Sequence, residues 1–524
     1  MTHHGTAPTR GRGPGSGALD RATLVTTGAV TLGLIMSVLD TTIVNVALDK
    51  LSSDLHASLA TVQWVSTGYL LSLSMVIPLS GWMVERYGTK RVWIGSIAVF
   101  CLGSALCGLS QSPAELIGFR VLQGLGGGML LPVGITMVSA SAAPHHLGRA
   151  LSLVGVPTLL GPIFGPILGG LIVDNASWHW IFFVNVPIAV VAVVVAVKVL
   201  RDDAVRANPG PLDWRGASLL CPGLVGIVFG LSETETHGRL TDPIAFGPVL
   251  AGVVLVALFV LRSLRIPRPL IDVGLFRSRA FAAAAATTFL LGGALFGALL
   301  ILPLYYQVDR GQSALNAGLL LAPQGIAAAL ALPIAGRLTD RIGGGPVVLV
   351  GCIVATLATL PWVFVGSGTP FALLAGVLFV RGIGLGCTIQ PAMAAAYALL
   401  RPDQVPGASA ALSTLRQIGG SIGTALLVVA LEGRAKTVLP ASGGGTGGLL
   451  EPLAPSVRST VAEPVAMAFG HTFLWAVAMT AVAAVPAAIL LSAERRARRL
   501  PDGAGAQPSA EDGAPPEAPL RQAA

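Results

Sequence analysis

"LVTTGAVTLGLIMSVLDTTIVNVAL", residues 24–48, is twenty-five residues of aliphatic and small side chains interrupted by a single charge, Asp40. About 20 apolar residues suffice to cross the hydrocarbon core as a helix, so this stretch reads as a membrane span. Thirteen more runs of the same kind follow, at 62–83, 92–110, 114–139, 150–172, 181–200, 216–231, 244–262, 281–306, 314–336, 346–366, 370–398, 405–431 and 468–491. The chain of 524 residues is 53% hydrophobic and 11% charged, with a mean hydropathy of +0.76. A soluble fold of that size does not carry so little charge, and the expected class is an all-α polytopic membrane protein with fourteen transmembrane helices.

Charge placement orients the spans. The net charge is +8, yet the cations lie between apolar runs and form no patch for nucleic acid. Of 33 Lys and Arg, twenty-four fall in segments on the side of the termini, six in the alternate loops and three (Arg120, Arg381, Arg416) inside runs. The positive-inside rule then places both termini in the cytoplasm of a cell-membrane protein. The five cysteines sit inside apolar runs without C-x-x-C spacing and read as small buried hydrophobes. The Gly/Arg-rich start, 1–23, has no cleavage site after a short apolar core and reads as a flexible cytoplasmic tail. The basic and then Ala/Pro/Gly/Glu-rich end, 492–524, reads as disordered.

The chain repeats itself at long range. "GWMVERYGTKR" (81–91) after run two returns as "GRLTDRIGGGP" (336–346) after run ten, and "RVLQGLGGGMLLP" (120–132) in run four returns as "RGIGLGCTIQP" (381–391) in run twelve. The offsets, 255 and 261 residues, divide the chain into a six-helix half at 24–200, a two-helix insertion with cytoplasmic linkers at 201–280, and a second six-helix half at 281–491. Two six-helix pseudo-repeats about a midplane site are the architecture of a large class of transporters that rock one half against the other.

With these residues in view, the chain resembles the major facilitator superfamily, and within it the fourteen-helix drug/proton antiporter branch. "LDTTIVNVAL" (39–48) looks like the first-helix motif of that branch, "GWMVERYGTKR" like the superfamily's loop between helices two and three, and "RVLQG" like its helix-four motif. "GVPTLLGPIFGPILGG" (155–170) is similar to the antiporter motif of helix five, and "WHWIFFVNVP" (178–187) to the helix-six entry. Asp49 stands where the first motif usually closes with Pro, and His179 where Arg is common between the tryptophans. The resemblance implies a proton-driven antiporter exporting lipophilic small molecules such as drugs and antibiotics. It implies proton coupling at Arg120, a latch at Gly81, Glu85, Arg86, Gly88, Lys90 and Arg91, and export rather than uptake from the helix-five motif.

Physical chemistry adds roles to particular residues. A carboxylate at membrane depth costs about 2.5–3.5 kcal/mol on insertion scales, and burial favours its neutral form, which suits a group that loads and releases a proton. Asp40 is therefore the proton-coupling candidate, with a hydrogen-bonded structural acid as the alternative. On a helical wheel Gly33, Ser37, Asp40, Thr41, Val44 and Asn45 share an arc that faces the bundle, while Ile35, Leu39, Ile43 and Val46 would face lipid. Counting about 1.5 Å per residue, Arg120 lies at a depth comparable with Asp40 and is its natural counter-charge, or else structural glue bonded to helix carbonyls. Gly155, Pro157, Gly161, Pro162, Gly165, Pro166, Gly169 and Gly170 break or thin helix five, giving a hinge or a tight packing face. The second loop copy keeps Asp340 and Arg341 but loses the basic pair, and is expected to be the weaker latch.

Arg381 and Arg416 lie deep in the second half with no Asp or Glu in its runs, which leaves them to line a substrate pocket or to bond structurally. The absence of acids there leans toward neutral, zwitterionic or acidic amphiphiles over dications. Tyr69, Gln123, Gln324 and Gln390 are candidate lining groups for an adaptable pocket, with plain helix packing as the alternative. No G-x-x-x-x-G-K-[ST] occurs, and the glycines of 124–128 lie within a span, so a proton gradient rather than ATP is the expected energy source. His3, His4, His145 and His146 lack metal spacing. Neither a cofactor nor enzymatic activity is expected, and a monomer in the bilayer is. A dedicated exporter of one endogenous metabolite, lipid or self-made antibiotic is the nearest competing reading, and a polytopic receptor or membrane enzyme a remote one.

Overall fold

The computed structural model describes residues 19–200, 210–237, 242–438 and 455–499, and among these every regular element is helical. The first set comprises α1 (Arg21–Ile43), α2 (Leu48–Asp54), α3 (Leu59–Val76), α4 (Ser80–Tyr87), α5 (Thr89–Leu109), α6 (Pro113–Ser141), α7 (Leu147–Asn175), α8 (His179–Phe183) and α9 (Asn185–Val199). A hairpin follows, α10 (Trp214–His237) and α11 (Pro243–Ser263). The last set is α12 (Arg279–Leu304), α13 (Ala314–Ile342), α14 (Gly344–Thr359), α15 (Phe371–Gly386), α16 (Ile389–Tyr397), α17 (Val405–Val438) and α18 (Pro455–Arg499). Among the described residues thirteen helices are long and apolar enough to span a bilayer, and α7, bent by 44° between Pro144–Gly161 and Phe164–Val173, makes a fourteenth.

Short polar residues start the spans. Asp20 accepts the Thr23 amide at 2.8 Å, Ser112 accepts that of Glu115, and Ser278 that of Phe281, each satisfying an amide that the first turn leaves open. Gly88 and Gly343 stop α4 and α13 at φ of 85° and 98°, a region open to glycine and strained for other residues. They stand 255 residues apart, the same offset as the two loop copies, so the repeat read from side chains is also a repeat of backbone.

Glycine sets how closely helices approach. A Cβ at Gly124 or Gly128 of α6 would sit 2.6 Å from the Tyr69 carbonyl oxygen or 2.7 Å from that of Leu73, both on α3, and one at Gly126 would meet the Ser96 carbonyl of α5 at 2.6 Å. α6 is thus clamped between α3 and α5 with its side chains free to reach α1. The inserted α10 lies against both sets: Trp64 of α3 meets Phe229 at 5.7 Å between ring centroids, and Ile227 and Leu231 join Ala425 of α17 in a small apolar cluster. The outer helix of the hairpin, α11, keeps Leu250, Val253, Val254 and Leu258 on the surface.

Three expectations change. The polar arc of the first helix holds in part: Gly33, Ser37, Asp40 and Val44 are buried and Ile35, Leu39 and Val46 stay partly exposed, but Ile43 is buried and Asn45 exposed, where α6, α7 and α9 pack around the helix. The last span begins well before 468 and runs through Arg499 as part of α18, so the basic run expected in a disordered tail is helical. Of the expected loop 432–467, residues 432–438 belong to α17 and 455–467 to α18; 439–454 lie outside the described residues, as do 1–18, 201–209, 238–241 and 500–524.

The packing carries a stability prediction. Gly124→Ala overpacks α6 against the α3 backbone, at a cost of about 1–3 kcal/mol, whereas Gly118→Ala, with nothing within 4 Å of the added carbon, leaves packing untouched. Thermal unfolding of the purified protein in detergent should show a Tm several degrees lower for the first and an unchanged or higher Tm for the second.

Candidate functional site

Four helices bring one polar cluster together inside the first set. Asp40 of α1 is fully buried; its Oδ2 accepts from Arg120 Nη1 at 2.5 Å and its Oδ1 from Gln123 Nε2 at 2.8 Å and Asn185 Nδ2 at 3.1 Å. Arg120 and Gln123 stand three apart on one face of α6, so a single turn delivers the cation and an amide together. Arg120 also donates from Nε to the Val65 carbonyl of α3 at 3.1 Å and from Nη1 to Gln123 Oε1 at 2.8 Å. Its guanidinium lies 4.1 Å from the centroid of the Tyr69 ring, and a stacked aromatic face favours a cation.

Both readings of Arg120 hold at once, since it pairs with the acid and bonds a helix carbonyl. Tyr69 and Gln123, candidate pocket-lining groups, are wholly buried parts of this cluster. Asn185, the one amide in the helix-six stretch "WHWIFFVNVP", is a member of the cluster that sequence reasoning does not single out. It also donates to Ser104 Oγ of α5 at 3.1 Å, and that hydroxyl donates to the Phe182 carbonyl. Three N–H donors converging on two carboxylate oxygens solvate an anion in a dry site. A proton arriving on Asp40 would remove the charge that holds Arg120.

The last set has a counterpart without an acid. Arg381 of α15 is buried and donates to Gln324 Oε1 of α13 at 2.5 Å and to Thr359 Oγ1 of α14 at 3.1 Å, so its partners are neutral side chains. Gln390 of α16 is buried against Gly155 of α7. Arg416 of α17 is partly exposed in spite of its depth. The expectation that the spans of this half contain no Asp or Glu needs correcting: the span from Arg279 continues through a π-helical turn to Asp309, and Asp309 and Glu432 are both buried near the ends of their helices. The runs drawn from hydropathy stopped just short of both.

On the side of the termini the two sets are closed on each other. Gly81 of α4 abuts Gly407 of α17, where an added Cβ would sit 3.2 Å from its Cα, and Ser409 donates to the Pro132 carbonyl at 2.8 Å. Asp340 of α13, expected in the weaker latch, makes a two-point grip on α7: Oδ1 accepts the Gly148 amide at 2.8 Å and Oδ2 accepts Arg149 Nε at 2.6 Å. The helix N-terminus it caps carries partial positive charge that favours a carboxylate. Arg86, Arg91 and Arg341 are exposed, while Glu85 and Lys90 are partly so. Trp82, inside the first loop copy, donates to the Gly210 carbonyl ahead of α10 at 3.2 Å, which ties the insertion to this closure. In α7, Gly161, Gly165 and Gly169 face Val38, Thr42 and Ile43 of α1. Pro157, Pro166 and Gly170 continue the series, and Pro162 falls within the bend.

The model of the Major Facilitator Superfamily matches residues 30–424. The chain is 38% identical over 501 residues to the multidrug resistance protein B homolog of Mycobacterium tuberculosis, covering 92% of this chain and 93% of that one. It is 31% identical over 404 residues to the multidrug export protein EmrB of Escherichia coli K12, covering 77% and 79%. Among solved structures, the proton:xylose symporter XylE superposes with a TM-score of 0.57 at 13% identity, over 88% of this chain and 94% of that one, a likeness of fold.

The closure is testable through Asp340. Asp340→Ala removes both the charge partner of Arg149 and the cap of α7, whereas Asp340→Asn keeps an acceptor for the cap. Distances between spin labels at Arg86 and Arg401, measured by electron–electron double resonance, should lengthen and broaden in Asp340→Ala and shift less in Asp340→Asn. Identical distributions in all three proteins would show that the grip does not hold the halves.

Proposed function

Because the chain belongs to the Major Facilitator Superfamily, we propose that it is a proton-driven antiporter that exports lipophilic small molecules, drugs and antibiotics among them, across the cytoplasmic membrane. The observation that carries this reading is the buried Asp40–Arg120 pair with its two amide donors. A buried ion pair contributes little net stability against an apolar replacement, while losing one partner costs about 3–5 kcal/mol. That asymmetry suits a switch: protonating Asp40 is chemically equivalent to removing one partner. The names of the drug-export relatives support the substrate class.

The cycle follows from the geometry. With the termini side closed, Asp40 is reached from the opposite, external side, and the proton gradient loads it. Neutralised, it no longer holds Arg120, and α1, α3, α6 and α9 lose the charge that draws them to one point. The grips at Gly81 and at Asp340 then open, α7 flexes at its Gly/Pro series, and the two six-helix sets, 24–200 and 281–491, turn about the seam. On the cytoplasmic side, where both termini lie, the proton leaves and the substrate enters. The energy is the proton gradient, and the working unit is a monomer in the bilayer.

Asp40→Asn keeps the size of the side chain and two of its possible hydrogen bonds but cannot titrate. In inside-out vesicles with an imposed pH gradient, it should lower gradient-driven accumulation of a lipophilic dye at least tenfold, while the protein inserts normally and still exchanges substrate down its own gradient. Accumulation that follows the pH gradient as in the unsubstituted protein would sink the proposal.

A further inference from the structure

We propose that Arg416 is the receptor for an anionic group on the exported molecule, so that the cargo it selects is lipophilic acids. The inference rests on the exporter reading for its setting and on the last helix set for its evidence.

The three arginines inside spans are held in three different ways. Arg120 has a carboxylate, and Arg381 has two neutral oxygens. Arg416, among the described residues, has neither an ion pair nor a hydrogen bond; its polar head lies 5.9 Å from the centroid of the Phe296 ring on α12 and within electrostatic reach of Tyr397 on α16. It stands eleven residues into α17, roughly 17 Å from the start of that helix. At that depth the residue nonetheless stays partly exposed.

The direction of the side chain is set by a missing Cβ. Gly292 of α12 leaves space where an added carbon would meet Arg416 Cγ at 3.3 Å, so the aliphatic stem crosses α12 at that point. The head then reaches Phe296, one turn further from the terminal side, which is the side that is closed. The head is thus directed away from the closed side. Within the same turn of α17, Ser413 Oγ is buried with no hydrogen-bond partner, a second polar atom awaiting one.

Among the described residues no acid pairs with this cation. Asp309 is thirteen residues beyond Phe296 along α12 and its π turn, roughly 20 Å, and Glu432 is sixteen residues beyond Arg416 along α17, roughly 24 Å. Asp40 is already engaged by Arg120. A guanidinium at membrane depth without a counter-ion is costly, and a carboxylate or sulfonate on the cargo offsets that cost with charge-assisted hydrogen bonds, while Phe296 offers a surface to its apolar body. A cationic drug meets like charge at the same place.

Binding to the purified protein in detergent tests this without any gradient. The probes are dansylglycine, a carboxylate, and dansylglycinamide, its neutral counterpart. Arg416→Gln should weaken dansylglycine binding at least tenfold and change dansylglycinamide binding less than twofold, and Arg416→Lys should stay within about threefold of the unsubstituted protein for both. Equal losses for the two probes, unchanged dansylglycine binding in Arg416→Gln, or a Lys variant as weak as the Gln variant would each overturn the assignment. A protein that passes this test yet ignores an imposed pH gradient would fail the exporter reading alone.

Discussion

A buried carboxylate must be solvated by the protein itself, and much of the first helix set is arranged around that requirement. Asp40 draws one donor set from α6 and another from α9, and Arg120 in turn fastens α6 to α3 through the Val65 carbonyl. Such a cluster can form only if the helix backbones come close enough for short side chains to meet. The glycines of α6 and α7 allow that approach, since a Cβ at Gly124, Gly126 or Gly165 would run into a neighbouring helix. Close packing and the polar cluster are therefore one design: small residues supply the contact distance, and the ion pair fixes which faces meet.

The two halves share a plan and differ in charge balance. Each keeps an arginine in the same place on its fourth helix, flanked by a glutamine acceptor, and each ends its second helix at a left-handed glycine. The acid was kept in the first half alone. At the position matching Asp40, some 255–261 residues later, the chain reads "LFGALLI" (295–301), which offers no oxygen. On the proposed mechanism this division separates labour, with proton binding at the acid paired to the first half's arginine and cargo recognition at the unpaired cation of the second half.

The inserted hairpin is more than a spacer. α10 contacts α3 through Trp64 and α17 through Ala425, so it covers the seam between the sets on one side, and its leading segment is bonded to Trp82 in the first loop copy. Asp213, just before α10, pairs with Arg262 at the end of α11 at 2.8 Å and caps Gly216. Burial raises its carboxyl, but the hydrogen bond from Arg262 and the Gly216 amide outweigh that and hold it below the ordinary carboxylate value, so this anchorage persists at any pH above that range and fails only in strong acid.

Hydropathy determined the all-helical membrane class and its thirteen or fourteen spans, because helix length is a one-dimensional record of the bilayer's thickness; charge asymmetry and internal repetition supplied the expectations of an inner side and of a two-half plan. The candidate acid and its arginine were legible too, since a charge in hydrocarbon is conspicuous and helical rise gives its depth. Other features depended on the third dimension. Asn185 joins the cluster across 145 residues, the grip of Asp340 on Gly148 and Arg149 spans some 190, and Asn45 rather than Ile43 faces outward because α1 is ringed by helices from distant parts of the chain. Above all, which of three intramembrane arginines lacks an acceptor is invisible in sequence: hydrogen bonding in a dry interior is settled by the few ångströms between side chains, and only the packing of helices sets those.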